Sequence, residues 1–226
     1  GSAIFGGRWN ERDVPALYAG LSEEIAALAR AGVETRGIVR SQVDPTALAV
    51  VSVNAAGESD FLLYRDGCAD SRYDANEVAL DIAGACRILH VGSLSLGSPL
   101  SAEAQRLAVK TAKNAGALIS ADVNFRPAIW SNPDEMHATG REAIASADIV
   151  KVNAEELLAL ASAADTASAV RSLWHSGLKL FAVTHGARGA ELFTPNCHVS
   201  IAGFSVKVAD TVGCGDAFTA ALLAGL

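Results

Sequence analysis

The chain has 226 residues, half of them hydrophobic and 19% charged, with 25 Asp and Glu against 18 Lys and Arg for a formal net charge of -7. That apolar content suffices for a sizeable core and excludes a disordered chain, while an acidic balance with singly scattered basic residues argues against nucleic-acid binding. No run of about 18 apolar residues exists, so no membrane span is expected, and four dispersed cysteines without a CxxC pair (Cys68, Cys86, Cys197, Cys214) fit a reducing cytoplasm better than a zinc ribbon or disulfide scaffold.

In chain order, Asp13 is placed to cap a helix carrying Leu17, Leu21, Ile25 and Leu28 on one face, stopped by Gly32. Thr46 to Val53 and Ser59 to Tyr64, joined by a turn at Asn54 to Glu58, read as a β-hairpin. A short helix over Ala75 to Ala83 leads to a strand at Arg87 to Val91. A second helix, Ala102 to Asn114, closes at Gly116 and leads to the strand Ala117 to Ala121. Asn132-Pro133 opens the next helix with proline at its first position, and Asp148 to Val152 follows as strand. Two more helices precede the strand Leu180 to Thr184. A hairpin-like stretch from Glu191 to Val208 then ends at a glycine-rich turn and a last helix. The apolar stretch Ala217 to Leu226 reads as a helix stopping in mid-course, which is the expectation for a piece of a longer chain.

Apolar strands alternating with helices predict an α/β fold: a doubly wound, mostly parallel sheet with helices on both faces, as one domain over 1–226. In such sheets ligands bind at the carboxyl ends of the strands, in the loops that open the next helix. Three of these loops carry chemistry. Asp122-Val-Asn-Phe-Arg126, with Trp130 nearby, follows one apolar strand. Lys151-Val-Asn-Ala-Glu-Glu156 follows another, with Asn153 at a cap position and Glu156 three residues on. Asp210-Thr-Val-Gly-Cys-Gly-Asp216 opens the last helix.

The third loop is the most specific. Gly213 and Gly215 let backbone approach a ligand closely, and a helix N-terminus presents free N–H groups to an anion, so phosphate is the natural guest. Asp216, in the first turn, could accept a proton from an attacking hydroxyl while the amides hold the charge of a transferring phosphoryl group. The plainer reading is an Asp that stabilises a helix start. No P-loop is present, and Phe218 stands where a GxGxxG fingerprint needs its third glycine. A nicotinamide-dependent dehydrogenase would also need that fingerprint near the N-terminus, where it is missing.

Asp210-Thr-Val-Gly-Cys-Gly-Asp-Ala-Phe218 resembles the C-terminal DTxGAGD signature of the PfkB (ribokinase-like) carbohydrate kinases, with Cys214 in place of the usual Ala. Asn153-x-x-Glu156 resembles the family's NxxE motif, and Val183-Thr-His-Gly-Ala-Arg-Gly189 its VTxGxxG element, in the same order and spacing. Weaker similarity runs back to about Gly32. The resemblance implies ATP-dependent transfer of the γ-phosphoryl group to a sugar hydroxyl. It makes Asp216 the catalytic base and Gly213, Cys214 and Gly215 the anion hole. Asn153 and Glu156 would order Mg²⁺ and its waters, although Asn at a cap with Glu at N3 is also a capping box that stability alone explains. Thr184, Gly186 and Gly189 would join Asn153 in lining the nucleotide groove. Asp210, with the Val212 carbonyl, resembles part of a monovalent-cation site, with K⁺ as its occupant.

The hairpin at 46–65 resembles the family's β lid, which in many members pairs two subunits. Apolar Leu48, Val50 and Phe61 would suit such a homodimer contact. Tyr64-Arg65 and Asn124-x-Arg126 resemble sugar-facing elements of fructokinases and of 2-keto-3-deoxygluconate kinases, while Arg126-Pro-Ala-Ile-Trp130 and His90-Val-Gly-Ser93 are most similar to fructokinases. Plainer roles are a solvated strand end for Arg65, a hydrogen-bonded core histidine for His90 and packing for Trp130. The expectation is a small-molecule kinase acting on fructose. A keto-deoxy sugar acid, which an Arg pair could hold bidentately, is the alternative substrate. A catalytically silent sugar or nucleotide binder is a further alternative, against which the retained Asp216 counts.

Overall fold

The computed structural model describes residues 28, 31–53, 59–125, 130, 132–208 and 211–226. The expected helix led by Asp13 therefore lies outside the described residues, apart from Leu28. The chain divides into two units, one drawn from Gly1–Tyr73 and Lys207–Leu226, the other Asp74–Val206.

In the first unit, β1 (Leu48–Val53) and β2 (Ser59–Tyr64) form the expected antiparallel pair, with Leu48 opposite Tyr64 and Val50 opposite Leu62. Side chains alternate between the two sides of a strand, so Leu48, Val50, Leu62 and Tyr64 share one face. Val50, Leu62 and Tyr64 on that face are exposed. Phe61 pairs with Val51, which places it one step out of phase with Val50 and corrects its expected place beside Leu48 and Val50.

The second unit runs α1 (Leu80–Ala83), β3 (Ile88–Gly92), α2 (Pro99–Asn114), β4 (Leu118–Asp122), α3 (Pro133–Ser146), β5 (Ile149–Asn153), α4 (Ala154–Ala161), α5 (Thr166–Leu173), β6 (Leu180–Thr184), β7 (Gly189–Thr194) and β8 (Cys197–Ala202). The six strands form one sheet in the order β3-β4-β5-β6-β7-β8. The first three pairings are parallel and the last two antiparallel. This is the mostly parallel mixed sheet expected from strands alternating with helices. β4, β5 and β6 are buried at nearly every position, as continuous apolar runs in a parallel sheet must be when both of its faces are covered. Ile119, Val150, Val152, Leu157, Leu160, Phe181 and Val183 make the centre of the core. Truncating any one of these Leu or Ile side chains to Ala would cost about 2–5 kcal/mol.

Helix boundaries follow local chemistry. Asn132 caps α3 by accepting the Glu135 N–H at 2.8 Å, with Pro133 at the first position, as its sequence predicts. α2 begins at Pro99, a turn earlier than the apolar spacing indicates, because proline there has the right φ and no N–H to leave unpaired. The expected helix over Ala75 to Ala83 is broken instead into a single 3₁₀ turn, Ala75–Glu77, and α1. Asp74 and Glu77 form a capping box on the turn, but Val78 is extended (ψ 122°), which ends the helical path. The chain re-enters the first unit through α6 (Cys214–Ala224). Among the described residues, no helix is long and apolar enough to cross a membrane.

Candidate active site

Parallel strands deliver their carboxyl ends side by side. The register sets Asp122 of β4 beside Lys151 of β5, and Asn153 of β5 beside Thr184 of β6. Lys151 Nζ donates to Asp122 Oδ2 at 2.9 Å, with both side chains almost fully buried. The other oxygen, Asp122 Oδ1, is buried with no hydrogen-bond partner among the described residues. A buried lone pair without a donor is costly, so this oxygen is the least satisfied polar atom of the Asp122–Lys151 pair. Past β4, the Ser93 hydroxyl donates to the Val123 carbonyl. Asn124 then takes a left-handed turn (φ 41°), a conformation Asn tolerates better than most residues.

Glu156 has two connections. Asn153 Oδ1 accepts the Glu156 N–H at 2.8 Å and Glu156 Oε2 accepts the Asn153 N–H at 3.2 Å, a complete capping box at the start of α4. The other carboxylate oxygen, Oε1, accepts the Phe125 N–H at 2.9 Å. Glu156 therefore joins the start of α4 to the loop after β4, which a cap alone does not require. Burial pushes its carboxyl up from the ordinary glutamate value. Nearby Asp122 adds to that rise, while the two N–H donors and Lys151 oppose it.

At the end of β6, the Thr184 hydroxyl donates to the Val152 carbonyl at 3.5 Å. Gly186 opens a 3₁₀ turn, Gly186–Arg188, that leads to Gly189. Gly189 has φ 106°, and a Cβ there would fall 1.9 Å from the Ile201 carbonyl oxygen, so only glycine fits. Glu191 braces this loop: its carboxylate lies 2.8 Å from His185 Nε2, 3.0 Å from His198 Nε2, and accepts the Thr166 hydroxyl at 2.8 Å.

In the first unit, Gly213 takes φ 78° immediately before α6, and Asp216 lies exposed in the first turn. The Cys214 N–H closes the turn onto the Thr211 carbonyl at 3.2 Å. Helix geometry leaves the Gly215 and Asp216 amides without intrahelical acceptors, so they are available to an anion. Tyr64 ends β2, and Arg65 follows it. Arg65 is not a solvated strand end: its side chain is 15% exposed and its Nε donates to Asp70.

Of the sequence-predicted residues, Asn124, Asn153, Glu156, Thr184, Gly186 and Gly189 belong to the second unit, and Tyr64, Arg65 and Gly213 to Asp216 to the first. Arg126 and Asp210 lie outside the described residues. His90 is exposed, with Nδ1 3.0 Å from the Ser120 hydroxyl, and Trp130 is packed into the core. Sequence reasoning missed the Asp122–Lys151 and Arg65–Asp70 pairs. The signal for the first was two charged residues inside apolar strands; for the second no local spacing rule exists.

A family model described as pfkB family carbohydrate kinase matches residues 22–226. Fructokinase-2 of Solanum lycopersicum is 36% identical over 225 residues, covering 99% of this chain and 66% of its own length. A fructokinase of Solanum tuberosum is 37% identical over 223 residues, covering 99% and 65%. Among solved structures, a fructokinase with bound ATP from Xylella fastidiosa superposes with a TM-score of 0.80 at 33% identity, over 88% of this chain and 62% of that one. A fructokinase from Vibrio cholerae O395, in a form with bound fructose, ADP and calcium ion, gives 0.75 at 29% identity, over 88% and 64%. The chain spans a little under two thirds of the length of these relatives.

Proposed function

The chain belongs to the pfkB family of carbohydrate kinases, and we propose that the protein transfers the γ-phosphoryl group of ATP to a hydroxyl of fructose. The observation that carries this reading is the start of α6: a left-handed glycine, free first-turn amides and a carboxylate in the same turn. In the proposed reaction Asp216 accepts the proton of the attacking hydroxyl. Gly213, Cys214 and Gly215 form the backbone hole that holds charge on the transferring group, with the Cys214 N–H exchanging its bond to the Thr211 carbonyl for that group, so nucleophile and electrophile are activated by one helix start. Thr184, Gly186 and Gly189 line the nucleotide groove with Asn153. Tyr64, Arg65, Asn124 and Arg126 bind the sugar.

Among the described residues no three His, Cys, Asp or Glu side chains converge as a metal cage. Both Glu156 oxygens already accept N–H bonds, and Asp122 Oδ1 has no partner among the described residues. That donor set fits a hydrated Mg²⁺ that keeps most of its waters and is held by phosphate oxygens, with Glu156 contacting it through water. When bound, the ion would neutralise phosphate charge. Glu156 would orient its waters, and Asp210, with the Val212 carbonyl, would contribute to a site for K⁺. In the same reading residues 46–65 are a lid whose exposed apolar face pairs with a second copy, 1–226 is part of one ribokinase-like domain, and the protein works in the cytoplasm, where its four free cysteines stay reduced.

Asp216→Asn tests the assignment. The change is nearly isosteric at an exposed position, so folding and ATP binding persist while kcat for fructose falls by roughly 10²–10⁴-fold, the usual worth of a general base. A kcat within a few-fold of wild type would remove Asp216 from the mechanism.

A further inference from the structure

Arg65 and Asp70 meet in a short, well-braced segment of the first unit. The Cys68 N–H bonds to the Arg65 carbonyl at 3.1 Å, and the Ala69 N–H bonds to the Pro45 carbonyl at 2.9 Å. Ala69–Ser71 then forms a 3₁₀ turn that carries Asp70, with the Ser71 hydroxyl on the Cys68 carbonyl at 2.7 Å. Arg72 anchors the far side through Asp44 at 3.3 Å. These bonds fix the backbone from which both partners project. The Arg65 side chain is 15% exposed and that of Asp70 47% exposed, so the guanidinium is held down while the carboxylate stays partly in water.

A guanidinium has two edges that can clasp a carboxylate, one through Nε and one Nη, the other through both Nη atoms. Asp70 occupies the Nε position. The remaining N–H groups can still donate to neutral oxygens of a ligand, but the positive charge that would attract an anion is already balanced. The immediate surroundings reinforce this. The charged side chains of the segment and its brace are Arg65 and Arg72 against Asp44, Asp66 and Asp70, an excess of negative charge. A carboxylate brought to Arg65 would meet that excess on this side of the proposed sugar site, leaving Arg126, which lies outside the described residues, as the other cation proposed there.

We propose that Asp70 is a specificity-determining residue, which neutralises Arg65 and thereby favours an uncharged sugar over a sugar acid. Hydroxyl groups need donors but no net charge, whereas a carboxylate depends on the uncompensated fork. Discrimination of this kind comes as much from the repulsion built against the wrong ligand as from attraction to the right one. The inference rests on the reading of Arg65 as a sugar-binding residue.

The test measures ADP release by the full chain, as kcat/KM for fructose and for 2-keto-3-deoxygluconate, in wild type, Asp70→Asn and Asp70→Ser. Asn keeps an acceptor for Nε at the same reach but removes the charge; Ser removes the charge and draws its acceptor oxygen one bond back toward the backbone. With Asp70 half-exposed and screened, each variant should shift the preference toward the acid by about tenfold, below the full worth of a charged hydrogen bond. The shift should appear mainly in KM for the acid and shrink as salt rises. An unchanged preference in Asp70→Asn, or an equal fall in kcat on both sugars with KM untouched, would overturn the proposal, because a purely structural contact predicts those outcomes. Melting curves of both variants identify any loss of folding, and the variant that folds decides. A wild type inactive on both sugars would instead overturn the kinase reading and this inference with it. A wild type active on fructose whose variants show no shift overturns the inference alone.

Discussion

Glu156 shows how one side chain can satisfy a structural rule and still reach beyond it, to the loop after β4. Its capping box with Asn153 was legible from four residues of sequence, because that pattern is local. Its bond to the Phe125 N–H and the neighbouring Asp122–Lys151 pair were not, since both depend on the parallel register that brings segments about 30 residues apart together. Burial raises the Glu156 carboxyl above its unfolded value, so the folded state favours the protonated form. The resulting stability is full below the ordinary glutamate range and lost as pH rises through the raised value. Glu156→Gln should flatten that slope in a series of melting temperatures taken from acid to neutral pH. It leaves one N–H poorly paired, at a cost of about 0.5–2 kcal/mol. If Glu156 also orders the waters of Mg²⁺, kcat falls and the Mg²⁺ concentration for half-maximal rate rises, with KM for fructose little changed. Capping alone predicts the melting effect and unaltered kinetics.

At the level of elements, the hairpin β1–β2 was placed correctly because alternating strands around a polar turn have few other solutions. Its exposed face was only partly legible: Leu48 and Val50 belong to it, but the register puts Leu62 and Tyr64 opposite them, not Phe61. The start of α2 and the break before α1 were misjudged for a related reason. Apolar spacing locates the buried part of a helix, while its ends are set by Pro99 and by the extended backbone at Val78. A homodimer through the lid has a direct test. Val50 and Leu62 face each other across the pair, so Val50→Lys with Leu62→Lys sets like charges directly opposite each other on an apolar surface. Light scattering should report a dimer for wild type and a monomer for the double variant. A monomeric wild type, or a variant that stays dimeric, contradicts the lid contact.

For the molecule as a whole, the alternation of apolar strands with helices was enough to predict a mostly parallel sheet, and three motifs, at residues 153–156, 183–189 and 210–218, were enough to indicate the family. The strand order β3-β4-β5-β6 arises from long-range parallel pairing that no local pattern encodes, whereas the antiparallel β7–β8 pair lies in the stretch that reads as hairpin-like from its sequence. Substrate choice is subtler still. In the proposed reading it turns on which charges are already compensated before a ligand arrives; Arg65 is already paired with Asp70, and a list of residues carries no such information. The most direct test of the whole reading is coupled ADP release by the full chain with ATP and Mg²⁺ across fructose, ribose, 2-keto-3-deoxygluconate and adenosine. The account predicts turnover with fructose well above the other three; no release with fructose, whether or not another acceptor supports it, would contradict it.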